Sequence, residues 1–139
     1  CVGQEVAVSD WTVIAQPQVN QFADATHDHQ WIHVDPEKAA AGPFGGPIAH
    51  GFLTLSLMPW FFESSFEVTS VRMGVNYGLN KVRFTAPVPV GSRVRARMSL
   101  LAAEPIANGG MQLTWNVTVE REGGDKPCCV AEALVRLYA

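Results

Sequence analysis

Cysteine is scarce in this 139-residue chain: Cys1, Cys128 and Cys129 are all it has. Neighbouring cysteines rarely pair with one another, and no C-x-x-C spacing occurs. Neither a disulfide framework nor a cysteine-based metal site is expected. Reduced thiols in the cytoplasm are the simplest reading. Charge is sparse as well. Asp, Glu, Lys and Arg make up 17% of the residues, with a formal net charge of −3. No basic stripe interleaved with aromatics is present, which argues against nucleic-acid binding. A long hydrophobic run is also missing. The longest uncharged stretch, residues 39–62, is interrupted by Gly42, Pro43, Gly45, Gly46, Pro47, His50 and Pro59. Such a segment is too short and too broken to span a bilayer. Internal repeats and linkers are lacking. Cys1 rather than Met stands first, so residues ahead of it are expected, with a removed targeting segment left open.

What is present suffices for a core. Apolar residues make up 47% of the chain. A chain of this length buries roughly two-thirds of its unfolded surface without help from metal or disulfide. One domain over residues 1–139 is expected. Val6 to Ile14 suggest a first strand or extended arm, and residues 18–25 a short helix with Val19, Phe22 and Ala23 on its apolar side. Residues 26–35 read as irregular. Asp35-Pro36 then opens a short helix, because Asp caps well and Pro suits the first helical position. Residues 48–62 are apolar nearly all round and predict a helix buried on most sides, with Pro59 bending or ending it. The second half alternates instead. Val94 to Leu100 and Leu113 to Val119 repeat with period two, the signature of strands with one buried face. Turn residues at 87–91, 108–110 and 123–125 separate them. The fold class is α+β: one long antiparallel sheet wrapped on a buried central helix.

All four histidines fall between His27 and His50, among Asp28, Asp35 and apolar neighbours. Ordinary packing rarely asks for that density of titratable groups, whereas proton transfer does. Asp28 and His33 stand five apart in a loop. Addition of water to an activated double bond, or its reverse, needs one group to take a proton and another to deliver one. A carboxylate and an imidazole can share that work. The adjacent carbonyl gains negative charge and needs a waiting donor. The helix start at Gly51 offers free backbone N–H groups and has no side chain to obstruct a substrate oxygen. His50 would support the same turn or simply cap a carbonyl. A metal site built from His27, Asp28, His29, His33 and Asp35 is the competing reading. No H-E-x-x-H pair is present and consecutive residues rarely all point inward, so no metal is expected.

Taken together, residues 22–33 (FADATHDHQWIH), Val34-Asp35-Pro36 and Ile48-Ala49-His50-Gly51 resemble the hydratase motif of MaoC-like dehydratases, F-x-x-x-[ST]-G-D-x-N-P-[LIV]-H. With residues 80–84 (NKVRF) and Ala86-Pro87-Val88, the chain is most similar to the nodulation protein N-like branch and to mycobacterial (3R)-hydroxyacyl-CoA dehydratases within it. The resemblance covers nearly the whole chain.

It implies a hot-dog fold and an R-specific enoyl thioester hydratase acting on CoA thioesters without a cofactor, working as a homodimer. By the same resemblance Asp28 and His33 fall on the catalytic pair, and Gly51 on the glycine whose N–H holds the thioester carbonyl. Two positions depart from the motif. His27 replaces the Gly before the Asp, where positive φ comes less easily. Gln30-Trp31 replace Asn-Pro, so Gln30 keeps an amide while Trp31 gives up proline's fixed φ. Lys81, Arg83, Arg93 and Arg95 are candidates for the CoA phosphates, and Trp60 and Phe61 for an acyl pocket or plain packing. A hot-dog thioesterase and a non-catalytic acyl-thioester-binding or assembly subunit remain the alternatives.

Overall fold

Inward residues on the long strands form rows across the sheet. In the computed structural model, which describes residues Cys1–Ala139, β4 is Arg93–Pro105, β5 is Met111–Arg121 and β6 is Cys129–Tyr138. Antiparallel pairing sets Met98 opposite Val117 and Val117 opposite Ala131. The neighbouring rows are Ala96–Val119–Cys129 and Leu100–Trp115–Ala133. All nine side chains are buried. The rows end on the small residues of β6, which leaves room for a helix to lie close.

At the edges, β1 (Glu5–Val8) and β2 (Thr12–Val13) both pair with β4, and β3 (Met73–Arg83) pairs with β6. The sheet order is β1-β4-β5-β6-β3, so the second side of β3 has no partner strand. The extended arm expected before Ile14 is thus β1 and β2, and the alternating runs are β4 and β5.

The helices are α1 (Gln16–Thr26), α2 (Trp31–Val34), α3 (Pro36–Ala40), α4 (Gly51–Ser56) and α5 (Met58–Ser65). α1 contains the expected residues 18–25 and buries Val19 and Ala23. Asp35 caps α3 as its residue type requires, accepting from the Lys38 N–H at 3.1 Å. Residues 26–35, expected to be irregular, contain the single turn α2.

The apolar run 48–62 also differs from its reading as one buried helix. Ile48 bridges to Pro89, the helix begins at Gly51, and it breaks at Leu57. Pro59 has no N–H to give a carbonyl in the preceding turn, so the break falls just before it and α5 starts afresh. Burial is one-sided. Leu53, Met58 and Phe61 enter the core with Ile14, Val19 and Ala49, while Phe52 is 65% exposed. α4 packs on β6 and α5 on β4. No helix is long and apolar enough to cross a membrane.

Candidate active site

The loop between α1 and α2 carries the carboxylate, and α2 carries the imidazole. His27 ends α1 in the left-handed region, with φ 65° and ψ 17°. His27, where the motif has Gly, thus takes a left-handed conformation of the kind glycine adopts freely, and histidine is among the side chains found there more often than most. Asp28 Oδ1 accepts from the Gln30 backbone N–H at 3.3 Å, so Gln30 supports the carboxylate through its main chain. Trp31 opens α2. Its ring lies against Gly42, and the Lys38 ammonium stands 5.1 Å from the ring centroid. The indole thus anchors a turn that proline's ring would otherwise have preset. Gln16 in α1 donates to the His33 carbonyl at 2.8 Å and ties α2 to its neighbour.

His33 is buried, and its Nδ1 lies 2.7 Å from the Ile48 carbonyl. A carbonyl only accepts, so Nδ1 carries the proton and Nε2 keeps a lone pair. Burial holds the His33 pKa below its ordinary 6.5, with His50 pressing the same way. The Ile48 hydrogen bond and the Asp28 charge oppose this without overcoming it. His33 is therefore a neutral base near pH 7.

His50 is 2% exposed and stacks on His33, with ring centroids 3.8 Å apart. Its Nε2 donates to the Asp28 carbonyl at 3.0 Å and lies 3.9 Å from the Asp28 carboxylate. That bond fixes the other end of the loop. His50 Nδ1 is buried with no partner.

A cavity of about 330 Å³ opens beside these groups, with His33, Gly51, Thr54, Phe84, Ala86 and Cys128 in its wall. Gly51 is the first residue of α4, and its N–H has no acceptor within the chain. A Cβ there would stand 2.8–3.0 Å from the Phe84 ring, so this close approach requires glycine. Thr54 and Phe44 belong to this wall and were not singled out in the sequence, while Phe84 entered only as the end of the NKVRF stretch. For Thr54 the only hint was its three-residue interval from Gly51, which places the two on one helical face.

Of the five residues weighed as metal ligands, Asp28 and His33 come together, joined by His50 within 4.8 Å. His29 turns away to Asp24 at 2.9 Å, and Asp35 caps α3. Each buried imidazole already spends one nitrogen on a carbonyl. One free nitrogen each and a half-exposed carboxylate suit proton transfer between neighbours.

The four cations do not converge. Arg93 pairs with Glu122 at 3.0 Å, and Arg95 with Glu120 beneath the Trp11 ring. Both sit on β4, with β5 and β6 between them and Lys81 and Arg83 on β3. Arg83 directly precedes Phe84 in the cavity wall. Trp60 and Phe61 do not line the cavity; Phe61 is fully buried and Trp60 faces outward.

A half-exposed carboxylate and two buried imidazoles thus stand together at the head of α4, against an antiparallel sheet of the hot-dog type. The profile of the MaoC like domain matches residues 1–121. The chain is 61% identical over 137 residues to 3-hydroxyacyl-thioester dehydratase Z of Mycobacterium tuberculosis, covering 99% of this chain and 91% of that one. It is 48% identical over 132 residues to nodulation protein N of Rhizobium leguminosarum bv. viciae, covering 94% and 82%. Among solved structures, the (R)-hydratase from A. caviae involved in PHA biosynthesis superposes with a TM-score of 0.77 at 27% identity, covering 99% and 97%. The chain belongs to the MaoC-like dehydratase family and is an enzyme of that hot-dog group.

Proposed function

We propose that this enzyme hydrates trans-2-enoyl-CoA thioesters to (3R)-hydroxyacyl-CoA and catalyses the reverse dehydration. The observation that carries the reading is His33. It is a buried, neutral imidazole with Nδ1–H committed to Ile48 and Nε2 free, in a group with Asp28 and His50 whose polar atoms lie within 4.8 Å of one another, and in the wall of a cavity. In hydration, Asp28 and His33 hold one water between them. The water oxygen bonds to C3 and a proton reaches C2, so one of the pair accepts a proton while the other delivers one. The electron density displaced from the double bond passes towards the thioester oxygen, which the Gly51 N–H receives. No cofactor enters this chemistry. The names of the dehydratase Z and (R)-hydratase relatives support it.

Lys81 and Arg83, the two cations on the β3 edge, would meet the CoA phosphates. The same edge supports a homodimer, because Met73, Val75, Tyr77 and Leu79 expose apolar surface on a strand whose second side has no partner. Free thiols at all three cysteines suit a reducing cytoplasm.

The test is loss of enoyl absorbance with crotonyl-CoA for the wild type and Asp28→Asn. Asn keeps the size and removes the proton acceptor. A fall of about 100-fold or more is expected. Release of free thiol instead would make the enzyme a thioesterase. Binding without turnover, on short and long enoyl chains alike, would make it a binding subunit.

A further inference from the structure

Hydroxyls inside helices usually return their proton to the carbonyl four residues back. Thr26, Ser56 and Ser64 do so here, each at 2.7 Å. Thr54 does not. Its Oγ1 is buried with no partner, and the residue is 2% exposed. The reason lies in the turn itself. The carbonyl Thr54 would use, that of His50, already accepts from the Leu53 N–H at 3.1 Å and the Thr54 N–H at 3.3 Å. An unpaired buried hydroxyl is costly unless something bound to the protein completes it.

Thr54 stands in the wall of the same cavity as His33 and Gly51. Three residues after Gly51, it lies on the same face of α4. Helical side chains tilt towards the N-terminus, which carries its hydroxyl back over the turn that Gly51 begins. We propose that the Thr54 hydroxyl is a second donor to the thioester carbonyl oxygen, beside the Gly51 N–H. This rests on the hydratase reading, because that oxygen is the acceptor in question. The hydroxyl forms no covalent bond. It donates one hydrogen bond that strengthens as negative charge gathers on the oxygen, and therefore acts more on the transition state than on the ground state.

Thr54→Val keeps the shape and removes the donor; Thr54→Ser keeps the donor. With crotonyl-CoA, Thr54→Val is expected to lower kcat about 10- to 100-fold with KM within about 3-fold, and Thr54→Ser to retain most of the rate. Melting temperature should hold or rise in Thr54→Val, because an unpaired polar atom is lost. If that variant fails to fold, Thr54→Ala carries the same expectation. A second readout needs no turnover. The infrared carbonyl band of crotonyl-CoA bound to Asp28→Asn should move to higher wavenumber in Asp28→Asn/Thr54→Val. Full activity in a folded Thr54→Val, or lost activity with an unmoved carbonyl band, overturns the proposal. An inactive wild type would instead sink the hydratase reading, while the carbonyl band would still report on Thr54.

Discussion

The imidazoles of His33 and His50 stack 3.8 Å apart, with their planes 24° from parallel. At that distance a charge on one ring disfavours a charge on the other. The tautomers follow from their carbonyl partners: Nδ1–H on His33 and Nε2–H on His50. His50 thus does two jobs. It anchors the main chain of Asp28, and it presses the His33 pKa the same way as burial does. His50→Phe keeps an aromatic ring in the stack but removes both the donor and the imidazole that presses on His33. The His33 pKa read from ring-proton NMR should rise from its lowered wild-type position. kcat should fall about 10-fold as the Asp28 loop loosens. A wild-type His33 titrating at or above 6.5 would contradict the burial argument.

Stability should follow the same imidazole. The His33 pKa lies lower in the folded chain than the 6.5 it has when unfolded. Between those two values the unfolded state binds more protons, so stability rises with pH there and falls as the solution is acidified. Above 6.5 both states are neutral and the contribution is flat. Urea midpoints taken from pH 8 downwards should hold until about 6.5 and then decline. In His33→Gln the part of the decline that begins there should be missing. A wild-type midpoint that improves on acidification through 6.5 would reverse the sign and rule out a lowered pKa.

Much of this was legible in the residues. Arg95 and Arg97 alternate with Val94, Ala96 and Met98, so one face of β4 could be read directly. The pairing of Arg95 with Glu120 could not, because it depends on the register between strands 25 residues apart. The clustering of Asp28, His33 and Gly51 was legible from type and spacing, while the reach of His50 to the Asp28 carbonyl crosses 22 residues of chain. Thr54 was hidden for a different reason. Among Leu53, Leu55 and Leu57 it looks like a tolerated helical hydroxyl. Its unpaired state arises only because the His50 carbonyl is already taken. The break beside Pro59 was legible, but the new helix that starts there was not, because a proline at the second position of a helix looks the same in sequence as one that ends it.

The thiols give a chemical check on burial. Cys129 is fully buried, with its pKa pushed up to about 11, and burial raises that of Cys128 as well. A thiol that is neither ionised nor reachable does not react. Ellman's reagent should therefore titrate Cys1 alone in the native enzyme at pH 8 and all three cysteines in guanidinium. Cys128 contributes to the cavity wall but is only 2% exposed, so bound crotonyl-CoA should leave the native stoichiometry unchanged. Rapid native reaction of a second thiol would show that the wall around His33 opens.

The free side of β3 is the last point where the chain commits itself. Eleven residues form this strand, and only Val82 escapes the exposed class. Met73, Val75, Tyr77 and Leu79 are 49%, 40%, 55% and 43% exposed. A long apolar edge with an open row of backbone groups invites pairing, and Lys81 is the first charged side chain along the strand itself. An antiparallel match of β3 with β3 of a second copy satisfies both edges at once, because a two-fold axis makes the patch its own complement. Sedimentation equilibrium at micromolar concentration should give twice the 15.1 kDa of one chain. Val75→Lys/Leu79→Lys sets like charges along the edge while leaving the β6 pairing of β3 in place. It should sediment as one chain with its far-UV circular dichroism preserved. A wild type that sediments as a monomer, or a charged variant that stays dimeric, would rule out pairing through this edge.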